Sequence, residues 1–345
     1  MLWTLLLVVV LASAGAGIAV VGTQDTATDV APPSAEPTPA PSPPPPPGAS
    51  PLEPVSPTPS EESTSRTPAP PSVTASACPA LTEEVVLRVL TLNVHSGYGP
   101  GGFDVGRIAD LVERWRVDVA LLQEVDRHRA HSRFVDMPAV LARETGMEVA
   151  FGVNVRQGRG EYGVATLSRH PITFERNTLL PTAPGLQQRG VLRTDLDVHG
   201  ATVSVFNTHL EHRSPPTRLR QLAAARDVVG QSPHPVVLGG DLNSAPGSPT
   251  MRLARTFVRD AWADAGSGPG ATVPAATPRA RIDYLMYAPP LRVSRAEVLS
   301  PVVSDHRGVR AKFILSVAGD EVCVPQLDGP LDGSGAGGDG AGGDR

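Results

Sequence analysis

Pro301-Val302-Val303-Ser304-Asp305-His306-Arg307-Gly308-Val309-Arg310 is the stretch around which the rest of the chain falls into place. An acid and an imidazole stand side by side in it, just before an apolar run that reads as the last strand, Val309 to Val317. Alone, an Asp-His pair at a strand end is an ordinary surface turn. Its meaning comes from four earlier strand-like runs that end in complementary polar groups: Asn93 and His95, Glu124, Asn207 and His209, and Asp241 and Asn243. A fifth group, Asp283, opens an apolar run of its own. Residues two apart in a strand share a face, so each of the three pairs is expected to point one way as its strand gives out. Together these groups read as one site.

Outward from that stretch, Val85 to Val94 is nearly continuous valine and leucine and reads as a buried strand. Asp104 is expected to cap a helix whose Ile108, Leu111, Val112 and Trp115 follow helical spacing. Val117 to Leu122 is a second buried strand, and Glu124 lies just past its apolar run, where a carboxylate is costly unless paired or bound to metal. Arg127 to Arg133 is a basic loop carrying His128 and His131. Ala139 to Thr145 reads as a helix closed by Gly146, followed by strands near 148–152, 162–168 and 172–179. Val191 to Val198 and Ala201 to Phe206 form a hairpin around His199-Gly200. Pro216 to Val229 is a helix, and Val236 to Leu238 a short buried strand leading into Gly239-Gly240-Asp241, where glycines permit close backbone approach. Strands interspersed with helices predict an α/β sandwich, two sheets face to face with helices outside.

The folded part is shorter than the 345 residues, because the 37 prolines and 34 glycines are unevenly placed. Residues 1–22 read as a signal peptide or a membrane anchor, since Leu2 to Val21 is apolar and uncharged. No basic residue precedes Arg66, so orientation by positive charge is not readable. Residues 23–78 are a disordered Pro-rich linker, 79–325 the catalytic domain, and 326–345 a disordered Gly/Asp-rich tail. The expected location is secreted or extracytoplasmic and membrane-anchored, and the expected state a monomer. Cys78 and Cys323 bracket the domain, and in an exported chain they would suit a disulfide between its first and last strands.

The formal charge of -5 belongs to the flanks; residues 79–325 carry 28 basic and 25 acidic side chains, a net +3 in which Lys312 is the only lysine. That balance does not demand a nucleic-acid partner, although an arginine's planar fork suits phosphate.

Cleaving a phosphate ester requires an activated water, neutralisation of the phosphoryl oxygens and help for the leaving oxygen. Glu124 is a hard oxygen ligand for Mg²⁺ or Mn²⁺, with Asn93 and Asp305 as further ligands. Asn207 and Asn243 are candidate donors to non-bridging oxygens, and Arg189 and His95 candidate phosphate or substrate ligands. His306 is the candidate base, oriented by Asp283; Asp241 positions the water or protonates the leaving group.

The ordered blocks Thr91-Leu92-Asn93-Val94-His95, Leu122-Gln123-Glu124-Val125, Asn207-Thr208-His209-Leu210, Gly240-Asp241-Leu242-Asn243, Arg281-Ile282-Asp283-Tyr284 and Ser304-Asp305-His306 resemble the endonuclease/exonuclease/phosphatase superfamily. The resemblance spans about residues 86–315. It implies a DNase I-like, four-layer α/β sandwich of two mixed sheets flanked by helices. It also implies a divalent metal at Glu124, a catalytic His306 paired with Asp283, and phosphoester hydrolysis. It further suggests Glu161 as a partner for His209, with His209 an acid or phosphate ligand. Two positions depart from the pattern: Val164 stands where relatives often have Asn, and Gln188 where Glu is common.

Other hydrolase classes fit less well. A binuclear metallophosphoesterase would need an Asp-x-His near the first strand and a later Gly-Asn-His, and His209-Leu210-Glu211-His212 has the wrong spacing for a His-Glu-x-x-His zinc site. A catalytically silent exported binding module would have to retain every core group. Within phosphodiesterases, a nuclease-like enzyme using loop 127–133 with Arg156 and Arg159 is favoured over a sphingomyelinase-like enzyme acting on phospholipid or inositol phosphate.

Overall fold

The computed structural model describes residues 82–318. The segments 1–22, 23–78 and 326–345 and both cysteines, Cys78 and Cys323, lie outside the described residues. Among those described, no helix is long and apolar enough to cross a membrane.

The chain begins with β1 (Thr82–Asn93), the short β2 (Tyr98–Gly99) and β3 (Gly102–Phe103), α1 (Gly106–Arg114), β4 (Val119–Arg127) and α2 (Met137–Thr145). It continues through β5 (Glu148–Gln157), β6 (Gly160–Ser168), β7 (Ile172–Leu179), β8 (Gly190–Val198), β9 (Ala201–His209), α3 (Pro215–Val229) and β10 (Val236–Asp241). It closes with α4 (Pro249–Ala254), β11 (Arg259–Asp260), α5 (Ala261–Ala265), β12 (Gly266–Ser267), β13 (Asp283–Tyr287), β14 (Arg292–Val298) and β15 (Val309–Ala318).

One sheet has seven strands in the order β12-β14-β15-β1-β4-β6-β5, the other six in the order β11-β13-β10-β9-β8-β7. Both are mixed. β1 and β4 run parallel, as do β9 and β10, whereas β15 is antiparallel to β1 and β13 antiparallel to β10.

Alternation along β1 shows how the layers form. Leu87 and Val89 face inward and meet Val203, Val205, Val237 and Leu285 of the opposite sheet. Leu90 and Leu92 face outward, against Ile108 and Val112 of α1 and Leu141 of α2. The other sheet repeats this arrangement, its Phe206 and Leu238 packing under Leu222 and Ala225 of α3 and Met251 and Ala254 of α4. Both faces of the central strands are therefore buried, which is why they read as continuous apolar runs. Each such side chain contributes about 1.5–3 kcal/mol of burial. The result is the four-layer sandwich that the resemblance implied.

Local signals set most boundaries. Asp136 Oδ1 accepts from the Ala139 amide at the start of α2, and Gly146 closes it in the left-handed region at φ 63°. Ser214 and Ser248 cap α3 and α4 in the same way. Asp104 does not cap α1: the N-cap is Val105, and Asp104 Oδ1 binds the Gly106 amide from one position further out. At Gly240, φ is +148° and a Cβ would lie 1.8 Å from the Thr208 carbonyl oxygen, so only glycine lets β10 pass β9 into the site.

Candidate active site

Topology brings the polar groups together. β1, β4, β9 and β10 deliver their C-terminal ends to one edge of the sandwich, and the antiparallel β13 and β15 start there. Asp241 and Asp283 are direct cross-strand partners, and the residue opposite Val309 is Thr91, two before Asn93. The resulting cleft, about 490 Å³, is lined by Glu124, Tyr162, Arg189, His209, Asp241, Asn243 and His306 among others.

Glu124 reaches this cleft through a bulge. The β4–β6 register shifts between Gln123 and Val125, and Glu124 has φ +57°. The extra residue turns the carboxylate out of the sheet to the rim. Asn93 then ties the two sheets together, its Nδ2 donating to Glu124 Oε1 (3.0 Å) and to Asp241 Oδ2 (3.2 Å) while its Oδ1 accepts from the His95 amide.

His306 Nδ1 lies 2.9 Å and 3.1 Å from the two oxygens of Asp283, leaving Nε2 toward the cleft and 3.8 Å from Asp241 Oδ2. Burial pulls the His306 pKa down, but Asp283, Asp241 and Asp305 overcome it and push it up to about 9. Asp241, buried and facing Asp283, is pushed up to about 7, opposed by His306 and by the Asn243 amide 2.9 Å from its Oδ1.

His209 behaves in the opposite way. Its Nε2 is 3.5 Å from Asp241 Oδ2, but its Nδ1 meets Arg189 Nη1 at 3.0 Å. Burial, followed by Arg189, His306 and His212, holds its pKa well below the ordinary value. Arg189 is itself only 2% exposed, and its hydrogen-bond partners among the described residues are uncharged: His209 and, at 3.5 Å, the Tyr162 hydroxyl. A buried guanidinium without a carboxylate partner is suited to an incoming anion.

The residues around Glu124 fit a divalent cation. Asn93 is the hydrogen-bond donor to its carboxylate, and no described cation pairs with it. Asp241, Asp283 and His306 also present ligand atoms within 4.8 Å of one another. Such convergence of hard oxygens suits Mg²⁺ or Mn²⁺. The Asp283 contact with His306 Nδ1 accounts for two members of the second cluster as a proton-handling pair, so Glu124 is the better cation ligand; Asn93, expected as a further ligand, turns its Nδ2 to the carboxylates and its Oδ1 to the His95 amide, and so orients Glu124. Asp305 lies at the rim with its side chain 55% exposed, 3.7 Å from His95 Nδ1.

Three further expectations change. Asn207 is not a donor to substrate: it is fully buried between the sheets, its Nδ2 hydrogens go to the Leu122 and Ala165 carbonyls, and its Oδ1 accepts from Gln123. Glu161 is not the partner of His209, because the ladder places it opposite both Arg127 and Arg156, which take its carboxylate. His95 does not share a face with Asn93, since β1 ends at Asn93 and left-handed backbone at His95 and Ser96 turns the imidazole to the exposed rim. Asn243 does line the cleft, one amide hydrogen held by the Leu210 carbonyl. Sequence reasoning did not single out Tyr162 or His212 as site residues, and it placed Arg129 and His131 only within the basic loop offered to a phosphate; all four line the cleft. For Tyr162 a signal existed: neighbours on a strand face opposite ways, so only one of Glu161 and Tyr162 could look into the site.

Comparison with known proteins agrees with this architecture. The Escherichia coli K12 protein YbhP is 29% identical over 221 residues, covering 60% of this chain and 87% of YbhP. A solved endonuclease/exonuclease/phosphatase from Beutenbergia cavernae superposes with a TM-score of 0.57 at 27% identity, over 67% of this chain and 72% of that one. The Bacteroides thetaiotaomicron mannosyl-6-phosphatase Bt3783 shares the fold at 16% identity, with a TM-score of 0.56 over 66% of this chain and all of that one. Residues 90–306 match the Endonuclease/Exonuclease/phosphatase family, and with six motif blocks converging on one edge of a two-sheet sandwich, the chain belongs to it.

Proposed function

We propose that this chain is a divalent-cation-dependent phosphodiesterase that hydrolyses a P–O bond by in-line attack of water, with nucleic acid as its substrate class. The observation that carries the reading is the Asp283–His306 contact of 2.9 Å, in a cleft that Glu124 and the buried Arg189 also line.

Glu124, its carboxylate oriented by Asn93, would hold Mg²⁺ or Mn²⁺, which when bound draws charge from the phosphoryl oxygens and steadies the leaving oxygen. The remaining steps belong to side chains. Asp283 fixes His306 through Nδ1, so that Nε2 takes the proton of the attacking water. Asp241, with its carboxyl pushed up to about 7, holds a proton near neutral pH for the leaving oxygen. Arg189 and the second amide hydrogen of Asn243 face the non-bridging oxygens, where charge builds up.

The nucleic-acid reading is supported by the groove beside the cleft. Its volume is about 710 Å³, it is lined by His128, Arg129, His131, Phe134 and Arg159 with no carboxylate, and it joins the cleft through Arg129 and His131. Phe134 is 68% exposed, a surface on which a base can stack. Export is proposed on the apolar run Leu2 to Val21.

The test is to assay the full-length chain and its His306→Ala variant with Mg²⁺, Mn²⁺ or EDTA on DNA, RNA, sphingomyelin and phosphatidylinositol. Cleavage of polynucleotide that needs both the cation and His306 is expected. Turnover of a lipid alone would replace the substrate class, and cation binding with no turnover on any of the four would favour a binding module.

A further inference from the structure

Resting on the phosphoester-hydrolysis reading, we propose that Arg189 is a positioning residue that fixes His209 as a neutral imidazole with its proton on Nε2. His209 then serves the reaction as a hydrogen-bond donor to a phosphoryl oxygen and transfers no proton.

Donor inventory fixes the tautomer. A guanidinium carries only N–H donors. With Arg189 Nη1 3.0 Å from His209 Nδ1, that nitrogen must be the acceptor and cannot carry hydrogen. The ring's one proton is therefore on Nε2, the atom on the side of Asp241 Oδ2 and the cleft.

Protonating Nδ1 would oppose two N–H groups and place a second positive charge beside a buried guanidinium. Arg189, His306 and His212 all act on His209 in the same direction as burial. Asp241 faces the Nε2 side only. The carboxylate that would make an acid of His209 is absent from the Nδ1 side, because Glu161 lies between Arg127 and Arg156. An arginine thus occupies the place where a carboxylate would favour imidazolium, and the two substitutes produce opposite chemistry from the same ring. Tyr162 steadies the guanidinium through its hydroxyl, 3.5 Å from Nη1.

The first measurement is a long-range ¹H–¹⁵N correlation on the full-length chain labelled at histidine, which reads the protonated ring nitrogen directly. His209 is expected as the Nε2–H tautomer near neutral pH; an Nδ1–H or doubly protonated ring overturns the proposal. In Arg189→Met the same signal is expected to become a mixture of forms, and an unchanged tautomer removes the positioning role from Arg189. The second measurement is kinetic. His209→Gln keeps a side-chain N–H at similar reach but cannot relay a proton, so it is expected to stay within about tenfold of the parent. His209→Ala is expected to fall about 10²–10³-fold, the usual effect of removing one such donor. Equal losses in both would mean proton transfer and sink the proposal. The spectrum needs no substrate, so failure of the hydrolysis reading and failure of this assignment are separate results, and neither the parent spectrum nor the His209 pair depends on Arg189→Met folding.

Discussion

Two imidazoles face the same carboxylate oxygen, Asp241 Oδ2, His209 from 3.5 Å and His306 from 3.8 Å, and they are driven in opposite directions. Both are buried, and burial lowers both. What separates them is the group on the far nitrogen: Asp283 for His306, Arg189 for His209. The carboxylate holds the ring as a proton carrier with a pKa pushed up to about 9, and the guanidinium holds it neutral. The far partner therefore assigns the role.

The largest break in this comparison comes from His306. Removing a positioned base costs about 10²–10⁴ in rate, and His306→Ala is expected to lose that much kcat in initial-rate assays with saturating Mn²⁺. Only the neutral ring can accept a proton and only the protonated Asp241 can give one, so with folded values of about 9 and about 7 kcat/KM should rise to about pH 7, stay level to about pH 9 and fall above it. A rate that keeps climbing through pH 9 would take the acid role from Asp241, and a fully active His306→Ala would remove the Asp283–His306 pair from the chemistry.

Next is the effect of the cation on stability. The folded state holds protons more tightly than the unfolded chain at Asp241 (about 7 against 3.8) and at His306 (about 9 against 6.5). Groups raised on folding stabilise most at low pH and lose that contribution as pH rises through the folded value. His209, held below 6.5, contributes in the opposite sense and offsets Asp241 at lower pH, so stability in EDTA should be nearly level to about pH 6.5 and decline from there to about pH 9. A cation at one hundred times its Kd adds about 2.7 kcal/mol, so thermal melts at pH 8 should rise on adding Mg²⁺ to the EDTA-treated protein. No cation effect on the melt would count against a site at Glu124.

A third expectation separates a buried bridge from a catalytic donor. Asn207→Leu leaves the Leu122 and Ala165 carbonyls without their donor, at about 1–3 kcal/mol for each orphaned group. Denaturant unfolding should show this loss while the folded fraction keeps its KM. Intact stability with lost turnover would return Asn207 to the chemistry.

These cases mark where the sequence could be read and where it could not. The strand ends were legible because β1 and β4 are buried on both faces, so the first polar residue after each apolar run had to be special. The two-apart rule served Asp241 poorly and Asn93 not at all, because β10 and β1 stop at those residues and Asn243, His95 and Ser96 turn left-handed. It placed Asn207 and His209 on one face but said nothing of depth: one lies between the sheets and the other at the cleft. Helices α4 and α5 and strand β14 gave no clear signal, being short or, in β14, only partly buried with Arg292, Ser294 and Arg295 exposed. Arg189 was visible as an arginine in a loop; that it is buried without a carboxylate depends on β8 and β9 packing over Tyr162, a long-range fact.

The smallest expected effect tests the comparison most sharply. If His209 took its role from Glu161, as the family pattern suggested, Glu161→Gln would strip the charge that favours imidazolium and turnover would fall with it. In the observed arrangement the buried Glu161 answers to Arg127 and Arg156, so the cost of losing its charge falls on that pairing and on stability, not on His209. Glu161→Gln should then change the kcat of the folded enzyme by less than about twofold, a small fraction of the roughly 1.4 kcal/mol that a tenfold change represents, and leave the His209 tautomer untouched. A fall beyond tenfold in the folded enzyme would mean that the carboxylate reaches His209 during turnover and that the guanidinium is not what sets its role.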